Sequence, residues 1–341
     1  MMTISVCMIV KNEEAQLAAC LDSLKPIADE MIIVDTGSSD STKEIAARYT
    51  DKIYDFPWID DFAAARNFAF SKAKMEYIYT ADADEVIDED NIRLFRRVKE
   101  LLPPETEIVQ MYYLNLMEEN TAYNSKRELR PKLFKRLRTF EWINPVHETI
   151  RLDPVIYNSD IEIMHLAKGS HAKRDFATFQ KALRKGMRLD KTLHSMYAKE
   201  LFIAGDKDDL TEAVPFFEQS LADTSRSDDE RREARCVLAR AYRISGDTAG
   251  FFRLCLRDVI AVPCSEMCAE IGHFFYDSGN FAEALCWLND AAFETEAVIT
   301  VLSQGADTLA MLADCYAKAD DNENAAKYRS MAEVWELPET V

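Results

Sequence analysis

A chain of 341 residues, 48% hydrophobic and 30% charged, is long enough for two globular domains and too apolar for wholesale disorder. Its formal net charge of −19 disfavours broad binding to nucleic-acid backbones or anionic lipid headgroups, while leaving room for a local basic patch around one phosphate-bearing ligand. It contains no run of about 18 apolar residues, so no membrane span is expected, and its apolar start lacks the basic residues and cleavage site of a secretory signal.

From the N-terminus, Thr3 to Val10 is a β-rich apolar run and reads as the first strand, followed by an amphipathic stretch from Glu13 to Leu24. Glu30 to Asp35 reads as a second buried strand. Ser41 and Glu44 have capping-box spacing at the start of a helix reaching Tyr49. Lys52 to Phe56 is a short third strand, Phe62 to Ala73 a helix, and Glu76 to Thr80 a fourth strand. Strand alternating with helix predicts a parallel sheet with covering helices. Beyond Asp90, Ile108 to Leu116, Lys132 to Phe140 and Asp160 to His165 read as strands of a mixed or antiparallel extension.

From Lys173 onward the strand pattern gives way to Ala, Leu, Phe and Tyr at helical spacing. Ala239, Tyr242 and Gly246 recur as Gly272, Phe275 and Gly279, then as Ala313, Tyr316 and Asp320, with an earlier copy in Ala198, Leu201 and Gly205. This resembles the tetratricopeptide repeat, a helix–turn–helix unit of about 34 residues. The small residue lets two helices approach, the aromatic fills the gap, and the Gly closes the first helix. The copies are degenerate, with Phe251 and Asp258 in place of expected Ala. The eight cysteines (Cys7, Cys20, Cys236, Cys255, Cys264, Cys268, Cys286 and Cys315) include no CxxC pair, which argues against zinc. They read as buried, reduced thiols of a cytoplasmic protein.

Asp82-Ala83-Asp84 follows the fourth strand directly. Two carboxylates at a strand end repel each other and call for a cationic or hydrogen-bonding partner, such as a divalent ion bridging two phosphates. Taken alone, Asp-x-Asp is common and on a solvated loop usually carries no function; Glu85 is the adjacent acidic candidate, or else a solvated or helix-starting residue. Val34-Asp35-Thr36-Gly37-Ser38 lies where a strand ends and a helix begins, the place where open α/β sheets bind ligands. Asp35 can accept hydrogen bonds from a base or ribose, or simply cap the helix. No Walker loop and no GxGxxG is present.

Together, Val6-Cys-Met-Ile-Val10-Lys-Asn12-Glu13-Glu14, Ile32-Ile-Val-Asp35-Thr-Gly-Ser38, Ala65-Arg66-Asn67 and Asp82-Ala83-Asp84-Glu85 resemble the family 2 glycosyltransferases of the GT-A fold, in order and spacing, over roughly the first 170 residues. The subgroup with C-terminal tetratricopeptide repeats is most similar; it includes enzymes that glycosylate bacteriocin peptides on Cys or Ser/Thr. The resemblance implies that Val10, Glu13, Asp35, Arg66, Asp82 and Ala83 bind the nucleotide-sugar, with Asn67 supporting Arg66. It implies that Asp84 binds Mn2+ or Mg2+. Many members carry a second aspartate where this chain has Thr36, which leaves Asp35 with more of the task.

A second cluster is Glu141-Trp142-Ile-Asn-Pro-Val-His147-Glu148. An acceptor group must lose a proton as it attacks the anomeric carbon, and a nearby carboxylate can take it. Glu148 is the candidate catalytic base, with His147 orienting it or touching a phosphate; read alone, Glu148 is equally a surface residue after a turn. His165 either completes the metal site through a neutral imidazole or is a satisfied core histidine. His171, Lys173 and Arg174 either neutralise a departing diphosphate or start a solvated helix, and Trp142 stacks on a sugar or is a buried aromatic. His194 and His273 read as structural.

The expected architecture is therefore an α/β GT-A-like (Rossmann-like) catalytic domain at 1–170, a helical connector at 171–190, and tetratricopeptide-like repeats at 191–336. The expected reaction is metal-dependent, inverting transfer of a hexose of the glucose or N-acetylglucosamine class from a UDP-sugar to a peptide or protein side chain docked by the repeats. The repeats equally suit homodimerisation. Two rivals stand beside this: transfer to a cell-surface glycan or lipid-linked saccharide, and a non-catalytic repeat scaffold with a degenerate transferase domain.

Overall fold

The computed structural model describes residues 2–114, 127–137, 142–143, 146, 149–150, 154–166, 172–259 and 263–338. In chain order the first unit contains β1 (Ile4–Val10), α1 (Leu17–Leu24), β2 (Glu30–Asp35), α2 (Thr42–Ala46), β3 (Ile53–Asp55), α3 (Phe62–Lys72), β4 (Tyr77–Ala81), β5 (Glu85–Val86), α4 (Glu89–Leu101), β6 (Ile108–Leu114), β7 (Arg127–Lys135), β8 (Trp142–Ile143), β9 (Thr149–Ile150) and β10 (Ile156–His165). Among the described residues, eight strands form one sheet in the order β3-β2-β1-β4-β7-β6-β10-β5. The first four are mutually parallel, β6 and β10 run the same way, and β7 and β5 are antiparallel to their neighbours. The mixed extension expected beyond Asp90 is therefore present.

The near-continuous apolar character of β1 and β2 follows from burial on both faces. Ile4, Val6, Met8 and Val10 point into a core completed by Leu17, Leu21 and Leu24 of α1 and Phe95 of α4. Cys7 alternates to the other face, where Ala63, Ala69 and Phe70 of α3 pack against Ile32, Val34 and Ile78. Three local expectations need correction. The Ser41–Glu44 capping box does not form, because Asp40 accepts the Thr42 amide at 3.0 Å and Ser41 makes no side-chain cap bond. The strand expected at 132–140 spans 127–135 instead, paired on both sides by β4 and β6. Helix α4 was not anticipated, although Asp88 caps the Asn91 amide at 2.8 Å and Glu89 and Asp90 fill its first turn.

The chain divides near residue 170 into two compact units, and the second is helical. It contains α5 (Ala172–Arg184), α6 (Lys191–Ala204), α7 (Lys207–Ala222), α8 (Asp228–Ser245), α9 (Thr248–Val259), α10 (Ser265–Asp277), α11 (Phe281–Asn289), α12 (Ala306–Lys318) and α13 (Asn322–Glu333). Helix α8 packs on α7 and α9, α10 on α11, and α12 on α13. Gly246 ends α8 in the left-handed region at φ 85°, Gly279 follows α10 at φ 78°, and Asp320 occupies the same conformation at φ 60°. The small residue of the repeat acts as expected at Gly272, where an added Cβ would lie 2.7 Å from the Leu288 side chain. Gly205 differs: its φ is −71°, so the first copy lacks the left-handed cap. His194 is fully buried, with Nδ1 3.1 Å from Glu233 and Nε2 2.8 Å from Ser220, a structural placement.

Candidate active site

Strands β2, β1 and β4 end on one edge of the sheet, and β6 and β10 end on the same edge. Val10 is in register with Asp35, and Met8 with Ala81. The Asp35–Ser38 turn and the Asp82–Asp84 stretch therefore leave the sheet on either side of β1, and His165 ends β10 on that edge too. Crevices beyond strand carboxyl ends are where such sheets bind ligands.

Asp35 is 2% exposed, and its two carboxylate oxygens differ. Oδ1 accepts the Gly37 and Ser38 amides, both at 3.0 Å, in a turn that requires the positive φ (104°) of Gly37. Oδ2 is buried with no hydrogen-bond partner among the described residues. A buried carboxylate oxygen left unmatched is costly, and a ligand N–H or O–H would satisfy it. Thr36 does not supply a second ligand group: its amide and hydroxyl both donate to the Val10 carbonyl, at 3.0 and 3.1 Å. The turn is tied to the loop after β1. Asn12, at φ 57°, donates its amide to Ser38 Oγ at 2.9 Å and accepts the Ser39 amide at 2.8 Å, and the Glu13 amide donates to Thr42 Oγ1 at 2.7 Å. The Glu13 carboxylate, half-buried, accepts from Gln16 Nε2 at 3.2 Å.

Helix α3 begins at Asp61, whose side chain caps the Ala64 amide, and its Ala-rich face lets it lie close to the sheet. Arg66 is thereby buried and aimed at the end of β4. It donates to the Thr80 hydroxyl, and its guanidinium lies 3.7 Å from Asp82 Oδ1. The Asp82 carboxyl is nearly half exposed. Desolvation pushes its pKa up, but Arg66, followed by Lys132, Arg130 and His165, outweighs this and holds it below the usual value. Ala83 is buried between the two aspartates.

Asp84 Oδ2 and His165 Nε2 are 2.9 Å apart, and both side chains are nearly buried. The Leu166 amide donates to the Asp84 carbonyl at 2.7 Å, and His165 is in register with Glu85, so backbone pairing fixes the two ligand-bearing segments together. The Tyr113 ring lies 5.0 Å from the imidazole, and the Arg130 guanidinium 4.0 Å from that ring. Two donors bound side by side on one octahedral ion at about 2.1 Å lie about 3.0 Å apart, so an Asp84–His165 pair fits a Mg2+- or Mn2+-sized cation.

Glu85 is neither solvated nor helix-starting. It is 2% exposed and receives the Lys132 ammonium at 2.6 and 2.7 Å on its two oxygens. It also accepts the Asp82 amide at 3.3 Å. Desolvation raises its pKa, and Lys132 opposes the rise. Lys132, Tyr113 and Thr80 had no assigned role in the sequence. A lysine beside Leu133 and Phe134 in a strand flanked on both sides was the available signal for the first. Expectations for His147, Glu148 and His171 fall outside the described residues, as does that for the Trp142 side chain; Val146 is buried. Lys173 pairs with Asp206 and Asp209, and Arg174 with Asp175, as at a solvated helix start.

Residues 5–151 match the model of Glycosyl transferase family 2, and this part of the chain is a domain of that family. A TPR repeat-containing protein of Synechococcus elongatus is 35% identical over 150 residues, covering 44% of this chain and 36% of that protein. The SPbeta prophage-derived glycosyltransferase SunS of Bacillus subtilis is 26% identical over 254 residues, covering 67% of this chain and 56% of that protein. The chain thus spans between about a third and little over half the length of these curated relatives. Among solved structures, glucosyl-3-phosphoglycerate synthase from Mycobacterium tuberculosis, in complex with Mn2+, uridine diphosphate and glucosyl-3-phosphoglycerate, aligns with a TM-score of 0.40 at 14% identity, covering 55% of this chain and 82% of that one. No helix among the described residues is long and apolar enough to cross a membrane.

Proposed function

We propose, on the premise that residues 5–151 form a family 2 glycosyl transferase domain, that this protein transfers a hexose from a UDP-sugar to a Ser, Thr or Cys side chain of a peptide or protein, with inversion and in a metal-dependent manner. The observation that carries it is the gathering, on one sheet edge, of a buried carboxylate oxygen lacking a partner among the described residues (Asp35) and a carboxylate–imidazole pair at ion-sharing distance (Asp84 and His165). Asp35 Oδ2 would accept from a nucleoside N–H or hydroxyl. Arg66 holds Asp82 ionised at the mouth of the site, where it would meet the ribose or the ion. Asp84 and His165 would hold Mn2+ or Mg2+. Such an ion, when bound, neutralises the diphosphate of the donor. Arg130 and Lys132 add positive charge behind the aspartates, which lowers the cost of bringing three carboxylates together.

Glu148 would take the acceptor proton, with His147 orienting it. Inversion is supported by the family resemblance alone. A peptide acceptor is supported by the resemblance to the repeat-bearing subgroup and by the stacked helices of the second unit, an architecture that offers extended binding surfaces. The test is incubation with UDP-sugars, Mn2+ and a library of Ser-, Thr- and Cys-containing peptides, read by mass spectrometry. A single hexose increment on peptides, absent with Asp84→Asn, is expected. Donor hydrolysis with no peptide modified, and transfer onto a saccharide acceptor instead, would contradict the acceptor assignment.

A further inference from the structure

The helical unit contains a chemical feature unconnected with sugar transfer. Cys236, in the middle of α8, and Cys264, the N-cap residue of α10, bring their Sγ atoms to 3.6 Å of each other in the core. They come from different helical hairpins and are 28 residues apart in sequence, so their approach is a property of the fold. Cys236 is 1% exposed and Cys264 5%.

Two chemistries suit a pair of thiols at this distance. A soft metal ion is the first, with the Glu266 carboxylate as third ligand, since the three groups cluster together. Glu266 is otherwise engaged, however. Its Oε1 accepts the amides of Val298, Ile299 and Thr300 at 3.0, 2.6 and 2.8 Å, and its Oε2 also accepts Val298 at 3.0 Å. It anchors the segment before Val301, and with it committed the thiols lack a complete ligand set. The second chemistry is oxidation. A disulfide needs the sulfurs to close to about 2.05 Å, a movement of about 1.6 Å that side-chain rotation can supply.

We propose that Cys236 and Cys264 form a reversible disulfide that staples α8 to α10 when the protein meets a peroxide.

The two thiols are electrostatically unequal in the way such a pair requires. Either sulfur can donate to the other; with Cys236 as the donor, the Cys264 pKa falls below that of an ordinary thiol and that of Cys236 rises. A helix N-terminus also favours a thiolate. Elsewhere burial pushes the Cys7, Cys20, Cys268 and Cys315 thiols up, so none of these competes as a nucleophile. The Cys264 thiolate attacks one peroxide oxygen and the O–O bond breaks, giving a sulfenic acid and hydroxide. The Cys236 sulfur then attacks the sulfenic sulfur, its proton leaves with the departing hydroxide, and water is released. In sum two thiols and one hydrogen peroxide give one disulfide and two waters.

The test is mild hydrogen peroxide treatment of the folded full chain, alkylation, and peptide mapping by mass spectrometry, repeated after dithiothreitol. A Cys236–Cys264 cross-link that dithiothreitol reverses, with six alkylated cysteines left, is expected. Cys236→Ala and Cys264→Ala should each abolish it, while Cys286→Ala, at an exposed cysteine, should not. Melting curves of the untreated variants establish that they fold. The oxidised wild type should melt several degrees higher in its helical unit, and the oxidised variants should not. Eight alkylated cysteines after treatment, cross-links scattered over other pairs, or protection of both thiols by stoichiometric Zn2+ in the purified protein would each overturn the assignment.

Discussion

Replacing Lys132 by Met removes one half of the buried ion pair beneath the Asp82–Asp84 loop. Lys132 is 4% exposed and Glu85 2%, so the carboxylate left behind has no access to bulk water. Breaking a buried pair by deleting one partner costs about 3–5 kcal/mol at neutral pH, because the remaining charge is uncompensated. Replacing both partners should cost far less, so Glu85→Gln combined with Lys132→Met is expected to recover at least half of the loss. The pH dependence has a definite sign. The folded-state pKa of Glu85 lies above 4.5 even with Lys132 present, and losing the cation raises it further. A carboxyl raised on folding contributes stability that is present below its unfolded pKa and lost as pH rises through its folded pKa. The deficit of the single variant is therefore largest at neutral pH and narrows as the pH falls. Peptide-resolved hydrogen exchange in urea, followed on β1 and β4, measures the sheet unit separately from the helical one. A deficit under about 1 kcal/mol, a deficit independent of pH, or a double variant no more stable than the single one would refute the reasoning.

Asp35→Asn retains an acceptor for the Gly37 and Ser38 amides but places an NH2 group where a ligand donor is expected. UDP affinity should fall about 10- to 100-fold, by calorimetry, with little change in melting temperature; equal affinity would remove Asp35 from the nucleoside site. Arg66→Gln leaves Asp82 without its nearest cation and should lower turnover about 10- to 100-fold, the usual cost of losing an orienting partner. Steady-state kinetics with the true donor would check it, and unchanged kcat/KM would show that Asp82 needs no such support. In the helical unit, Glu270 is fully buried between Arg240 and Arg243, and although desolvation raises its pKa, the two guanidiniums depress it to about 2. Its stabilisation should be complete above pH 4.5 and disappear as the pH falls through about 2, so Glu270→Gln should flatten that part of the unit's stability–pH curve.

Much of this was legible in the sequence because the relevant signals were local. Apolar runs buried on both faces announced β1 and β2, Gly246 and Gly279 marked the ends of α8 and α10, and Asp35 and Asp82–Asp84 stood at strand ends. Less local features were harder to read. Helix α4 is mostly polar, with Phe95 alone fully buried, so few apolar residues announced it, although Ile92, Phe95 and Val98 share one face and Asp88 caps its start. The ends of β7 were misjudged because its register is set by partners on both sides. The substitution of Thr36 for a second aspartate was visible. That its hydroxyl closes on the Val10 carbonyl depends on how β1 and β2 end together. The Lys132–Glu85 pair joins residues 47 positions apart, and the Cys236–Cys264 pair residues from separate hairpins, so only the folded chain brings either together.

The central claim is metal-dependent turnover of a nucleotide-sugar at the edge formed by Asp35, Asp82, Asp84 and His165. The most direct measurement is release of nucleoside diphosphate from a panel of UDP- and GDP-sugars, with Mn2+ and then with EDTA, for the wild type and Asp84→Ala. Release from a UDP-sugar that needs Mn2+ and is lost in the variant is predicted. Absence of release, together with no heat of binding for any donor in the presence of Mn2+, would contradict the account and leave a helical-repeat scaffold with an inactive transferase domain.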